Sequence, residues 1–189
     1  MPYAQAEGAR IWYEEAGSGL PILFIHEFGA DHREWEDQVR FFSREYRCIT
    51  YAARGYPPSD VPEDPKLYGQ DFAVGDAVAV LRHLGVARAH IVGLSMGGFA
   101  ALLFGIRHPE MAMSLVPAGA GSGSPRAEQA EFRAQCAARG DRLIAEGWPG
   151  GWRRRRGMRR PASSSRRRTR AAGRPIWRGS PSIRGAAPG

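Results

Sequence analysis

The 189-residue chain is poor in several things. It has two cysteines, Cys48 and Cys136, and a single lysine, Lys66. No histidine follows His108, and no acidic residue follows Glu146. Two cysteines without metal-type spacing or a neighbouring histidine motif exclude a disulfide framework and a zinc knuckle, and unpaired thiols suit a reducing compartment. No apolar run approaches the roughly 18 residues of a membrane span. The opening segment "MPYAQAEGARIWYEEAG" lacks the basic and apolar regions of a secretory signal. These absences lead us to expect a cytoplasmic protein with no membrane attachment and with neither metal nor cofactor.

The formal charge of +8 conceals a division. Residues 1–147 carry 14 basic and all 19 acidic side chains, a net −5, whereas residues 148–189 carry 13 arginines and no acid. The two parts therefore read differently.

Hydropathy along the first part alternates between two periods. Ala9–Gly17 alternates as an edge strand or hairpin arm does, and "PILFI" is a continuous apolar run of the kind found in strands covered on both faces. Trp35, Val39 and Phe42 form one helical stripe. "RCITYAA" returns to strand character before the loop "RGYPPSD". Val74, Ala77, Val78, Leu81 and Leu84 mark a second amphipathic helix, with Gly85 placed to end it. "AHIVGLS" is a strand, "MGGFAALLFGIRH" a helix stopped before Pro109, and "MAMSLVPAG" another strand. Strands alternating with helices predict an α/β fold, a mostly parallel sheet covered on both faces. Ser124 and Pro125 resemble a cap and first-turn proline for a helix over 125–148, with Phe132, Cys136 and Leu143 among its apolar positions.

The chemistry concentrates at Gly93-Leu94-Ser95-Met96-Gly97. A G-x-S-x-G segment between a strand and a helix makes a turn so tight that its flanks must be small, and it holds the serine strained with its hydroxyl above the sheet. The following helix points its N-terminus at that hydroxyl, and the Met96 N–H can face a developing oxyanion. "HEFGADHREWEDQV", "YAARGYPPSD", "HIVGLSMGGFAALLFGIRHPE" and "MSLVPAGAG" together resemble the N-terminal half of the α/β-hydrolase superfamily. They are closest to its cofactor-free esterases, enol-lactonases and C–C bond hydrolases, over about residues 9–148. The resemblance implies a nucleophilic Ser95. It also implies that His26-Glu27-Phe28-Gly29 supplies the second oxyanion donor, the Phe28 N–H. Glu27 departs from the family's glycine: a carboxylate there opposes an oxyanion unless it points away or is paired. The residues before Arg54-Gly55 depart as well, and read as scaffold variation.

A serine hydroxyl needs a base and a carboxylate to orient that base, and in this family both follow the serine in the chain. Here Glu110, Glu128, Glu131, Asp141 and Glu146 follow Ser95, but no histidine does. His26 reads as a structural loop residue, His32 as lining the mouth of a pocket, and His83, His90 and His108 as surface or capping residues. We therefore expect a serine hydrolase core at 1–122, the start of a cap helix at 123–148, and a tail at 149–189. Its substrate would be a small molecule with an ester, lactone or similar carbonyl, and turnover by this chain would be low. The tail's Arg, Gly, Pro, Ser and Ala composition is that of GC-rich codons read out of frame from about Pro149–Trp152. The competing reading is a disordered arm binding nucleic-acid phosphates on a non-catalytic core. Without interleaved aromatics it gives no sequence specificity, so no specific nucleic acid is expected. Oligomeric state is not legible, and nothing in the sequence argues for a partner that covers a sheet edge.

Overall fold

In the computed structural model, which describes residues 2–121 and 125–146, one six-stranded sheet organises the chain. The expectations for Ser124, Leu143 and the 149–189 tail lie outside the residues and side chains described. The sheet begins with a hairpin, β1 (Tyr3–Ala6) and β2 (Ala9–Ala16), paired antiparallel. It continues through β3 (Leu20–Ile25), β4 (Tyr46–Tyr51), β5 (Ala89–Leu94) and β6 (Ala112–Ala118) in the spatial order β1-β2-β4-β3-β5-β6. All pairings from β4 to β6 are parallel, and the β2–β4 pairing is antiparallel. The mostly parallel α/β architecture is thus observed, with an antiparallel hairpin at one edge. β1 escaped the sequence reading because four residues give too short a period to detect.

The central strands carry the expected continuous apolar runs. Leu23, Ile49 and Ile91 are fully buried at the middle of the sheet. On one face lie α2 (Gln70–His83) and α3 (Met96–Arg107). Val74, Ala77, Val78 and Leu81 are buried as the stripe predicted, and Gly85 ends α2 at φ +65°, a conformation glycine adopts without a Cβ penalty. α3 packs through Ala100, Ala101 and Phe104, all within 1% of complete burial.

The segment after β3 differs from expectation. It forms a 3-10 turn over His32–Trp35, capped by the Asp31 carboxylate, and then the short helix α1 (Glu36–Phe42). Trp35 is buried against Phe24, with ring centroids 5.1 Å apart, but Phe42 remains over a third exposed. A seven-residue helix after a turn cannot aim positions 35 and 42 at the same surface as one continuous helix would. The final helix, α4 (Gln129–Glu146), starts four residues after Pro125, and its Phe132 and Cys136 are exposed.

Candidate active site

β3 and β5 are parallel neighbours with Ile25 opposite Gly93. The segments that follow them, 26–29 and 94–97, therefore emerge together at the C-terminal end of the sheet, where the loops of an open parallel sheet form its crevice. Ser95 sits between β5 and α3 at φ +50° and ψ −109°. It is the only non-glycine residue with positive φ among those described. Its N–H donates to the Ala118 carbonyl at 2.8 Å, and its carbonyl accepts from the Phe99 N–H at 3.1 Å. The turn is thus fixed to β6 on one side and to the first turn of α3 on the other.

Small neighbours are a steric requirement here. A Cβ on Gly93 would lie 2.0 Å from the Gly97 carbonyl oxygen, and one on Gly97 would lie 2.2 Å from the Ile25 carbonyl oxygen. These are closer than any real side chain approaches, so the glycines of the motif are what let the serine turn close onto β3. Met96 opens α3, and its N–H belongs to the first helical turn, whose donors have no intrahelical acceptor.

The loop after β3 is held by three side chains. His26 is completely buried. The Ala53 N–H donates to its Nε2 at 3.0 Å, and its Nδ1 lies 2.7 Å from the Glu27 carbonyl oxygen. A carbonyl only accepts, so Nδ1 carries the proton and the ring is neutral in one tautomer. Burial also holds its pKa below the ordinary histidine range, against an opposing effect of the Glu27 carbonyl. Glu34 accepts from the Glu27 N–H at 2.8 Å, and the Tyr56 hydroxyl donates to the Phe28 carbonyl at 2.7 Å. Burial, with Glu27 nearby, pushes the Tyr56 hydroxyl up to about 12 and raises the Glu34 carboxyl. The Glu27 carboxylate lies beside the Gly29 α-carbon: its Oε1 is 3.2 Å from where a Cβ would stand. Glu34 and Tyr56 were not singled out from sequence, and their residue types carry no motif that marks a loop strap.

All five histidines lie among the described residues. His83 closes the last turn of α2 and His108 follows that of α3, two helices that run back from the C-terminal end, and His90 stands near the start of β5, so these three are at the opposite end of the sheet from Ser95. His26 uses both ring nitrogens. His32 is buried between Glu14, 3.7 Å from Nε2, and Asp31, 3.9 Å from Nδ1, beside the β2–β4 side of the sheet. Its pKa is also lowered, by burial first, with Glu14 and Asp31 opposing.

One buried ion pair links the loop after β4 to α2. Arg54 contacts both oxygens of Asp76 at 2.6 and 2.8 Å and donates to the carbonyls of Leu67 at 2.7 Å and Glu7 at 3.0 Å. The residues before Arg54-Gly55 read as scaffold variation, but Arg54 itself ties the loop after β4 to α2. Asp76 inside the apolar stripe of α2 was the available signal, since a charge among buried positions requires a partner. Among the described residues no group of three or more histidine, cysteine, aspartate or glutamate side chains could hold a metal ion. None of the described helices is long and apolar enough to cross a membrane.

A strained serine turn between a parallel strand and a helix, beside the loop of the neighbouring strand, defines the class: an α/β protein built as hydrolases of this architecture are built. The sequence signature of the α/β-hydrolase fold matches residues 21–168, and the chain belongs to that family. It is 35% identical over 111 residues to epoxide hydrolase 4 of Mus musculus, covering 58% of this chain and 31% of that protein. It is 40% identical over 85 residues to 3-oxoadipate enol-lactonase 1 of Acinetobacter baylyi, covering 45% of this chain and 31% of that one. Among solved structures, the enol-lactonase from Burkholderia xenovorans LB400 matches with a TM-score of 0.55 at 30% identity, over 59% of this chain and 44% of the other. Est816, an N-acyl homoserine lactone degrading enzyme, matches with a TM-score of 0.58 at 32% identity, over 70% of this chain and 52% of that one. The chain spans about a third of the length of these curated relatives.

Proposed function

We propose that Ser95 is the nucleophile of a hydrolase acting on a small molecule with an ester, lactone or similar carbonyl. The observation that carries this reading is the strained backbone of Ser95 at φ +50°, held between two glycines that admit no side chain. The Ser95 Oγ would attack the carbonyl carbon as its proton passes to a base. The C=O electron pair moves to oxygen, where the Met96 N–H and the Phe28 N–H are the proposed donors. Collapse expels the alkoxide, which takes up a proton, and water then cleaves the acyl-serine ester.

The relatives' names span epoxides and lactones, and the nucleophile favours the second chemistry. A serine oxygen opening an epoxide would leave an ether, which water does not cleave. The same oxygen on a lactone leaves an ester, which water does. Turnover by this chain is proposed to be slow, because His83, His90 and His108 stand at the far end of the sheet, His26 uses both ring nitrogens, and His32 faces Glu14 and Asp31. A cytoplasmic site of action is proposed on the two unpaired cysteines, Cys48 and Cys136.

Labelling with a fluorophosphonate, read by peptide mass spectrometry, tests the assignment. The expected result is slow modification confined to Ser95 and lost in Ser95→Ala. Modification elsewhere, or none after prolonged exposure, would overturn the nucleophile, and rapid modification would overturn the proposed slowness.

A further inference from the structure

Glu27 is a feature of the site that the proposed hydrolysis leaves without a use. On covalent geometry alone its carboxyl carbon stands within about 6 Å of the Phe28 nitrogen, a proposed oxyanion donor. Its Oε1 turns back over the loop, 3.2 Å from where a Gly29 Cβ would stand. A negative charge so placed works against an oxyanion unless a cation offsets it. The segment from His26 to Asp37 holds Glu27, Asp31, Glu34, Glu36 and Asp37 against a single arginine, Arg33. That arginine is bonded to both oxygens of Asp31, while Glu36 and Asp37 meet Arg40. Two aromatic side chains share the corner with Glu27. Phe28 is 45% exposed, and half-buried Tyr56 donates its hydroxyl to the Phe28 carbonyl at 2.7 Å. Burial first, and the Glu27 charge second, raise that hydroxyl, so the carboxylate is felt at Tyr56.

We infer that Glu27, with the Phe28 and Tyr56 rings, selects an ester or lactone that carries an ammonium group. The reacting carbonyl in this inference rests on Ser95 as the proposed nucleophile, whereas the cation subsite stands on the loop alone. A carboxylate beside aromatic rings is the chemistry that holds an alkylated ammonium, through charge and through the negative faces of the rings. The bound cation would offset Glu27 at the moment the oxyanion forms. The residue that opposes a neutral ester thus favours a cationic one, and an anionic substrate meets repulsion both on approach and in reaction. A lone carboxylate beside the oxyanion donor then works as a selector rather than as a defect.

Choline and its uncharged isostere 3,3-dimethylbutanol are suitable probes, with binding to the full chain read by saturation-transfer NMR at low salt. Choline should bind the more tightly. Glu27→Gln should weaken it by about tenfold while moving 3,3-dimethylbutanol by less than about twofold. Added salt should weaken choline in the same selective way. Ser95→Ala should bind both probes as the unmodified chain does, which reads the subsite without the nucleophile. In the unmodified chain choline should slow fluorophosphonate modification of Ser95, and Glu27→Gln should remove that protection. Choline binding left unchanged by Glu27→Gln would mean that Glu27 is already neutralised, for instance by one of the arginines of residues 148–189, and would overturn the inference. Absence of choline binding, equal loss of both probes in Glu27→Gln, or binding without protection of Ser95 would overturn it as well. Choline held through Glu27 on a chain whose Ser95 takes no fluorophosphonate would instead sink the nucleophile and leave the cation subsite standing.

Discussion

Ser95 stores the backbone strain of its turn in one residue, and the cost of that strain can be measured. A non-glycine residue held at such a φ costs on the order of 1–3 kcal/mol. Ser95→Gly should therefore raise the urea midpoint relative to Ser95→Ala by the equivalent of about 1 kcal/mol. Equal or reversed midpoints would show that the turn is relaxed. Gly97→Ala should act oppositely and more strongly, by about 3 kcal/mol, because the added carbon has only the Ile25 and His26 carbonyls to displace. The histidines of the same region set the response to pH. Burial holds both His26 and His32 below their ordinary range. Just below the ordinary value, the unfolded chain binds protons there that the folded chain does not. Stability therefore rises with pH across that interval and is lost as pH falls through about 6.5. The raised Glu34 carboxyl works the other way, since the folded state holds its proton to higher pH. In a Glu34→Gln background the urea midpoint should therefore drop between about pH 7.5 and about pH 5.5. A flat or rising midpoint on acidification would contradict a neutral, buried His26 and His32.

At the scale of elements, what could be read from sequence follows the strength of each physical signal. Continuous apolar runs placed β3, β4, β5 and β6, and the stripe from Val74 to Leu84 placed α2, because burial on a regular period leaves a mark that tertiary context rarely overrides. The hairpin strand β1 and the broken helix after β3 were not legible. Tyr3–Ala6 is too short for a period, and the Asp31 cap that starts a 3-10 turn was hidden inside a longer amphipathic pattern. The serine turn was legible because its glycines obey a steric rule local in sequence. The straps from Glu34 and Tyr56, and the Arg54–Asp76 pair, were not, since each joins residues seven to twenty-eight positions apart. The buried pair carries a test at this scale. Asp76→Ala alone leaves the Arg54 guanidinium uncompensated and should cost about 3–5 kcal/mol. Replacing both by apolar residues of similar volume, as in Arg54→Met/Asp76→Leu, should recover most of that loss in chemical denaturation. If the double variant is as unstable as the single, the pair contributes through its links to Glu7 and Leu67 rather than through charge balance.

At the scale of the whole molecule, three features belong together. The sheet presents a hydrolase-type serine turn at its C-terminal end. Three of the five histidines stand at the far end of the sheet from that serine, His26 uses both ring nitrogens, and His32 faces Glu14 and Asp31. The matched part amounts to about a third of the relatives' length. The proposed nucleophile and the proposed oxyanion donors come from β3, β5 and the loops that follow them, which this chain contains. On the proposed reading, no histidine of this chain serves as its base. If, as proposed, Ser95 is held in place without a base, it should respond to a base supplied from solution. The decisive measurement is the rate of fluorophosphonate addition to Ser95 as free imidazole is raised at constant pH and ionic strength. The account predicts a rate that climbs with imidazole concentration in the unmodified chain and shows no such climb at any residue in Ser95→Ala. A rate already fast and insensitive to imidazole would show that Ser95 has a base of its own. No modification of Ser95 at any imidazole concentration would show that it is not a nucleophile.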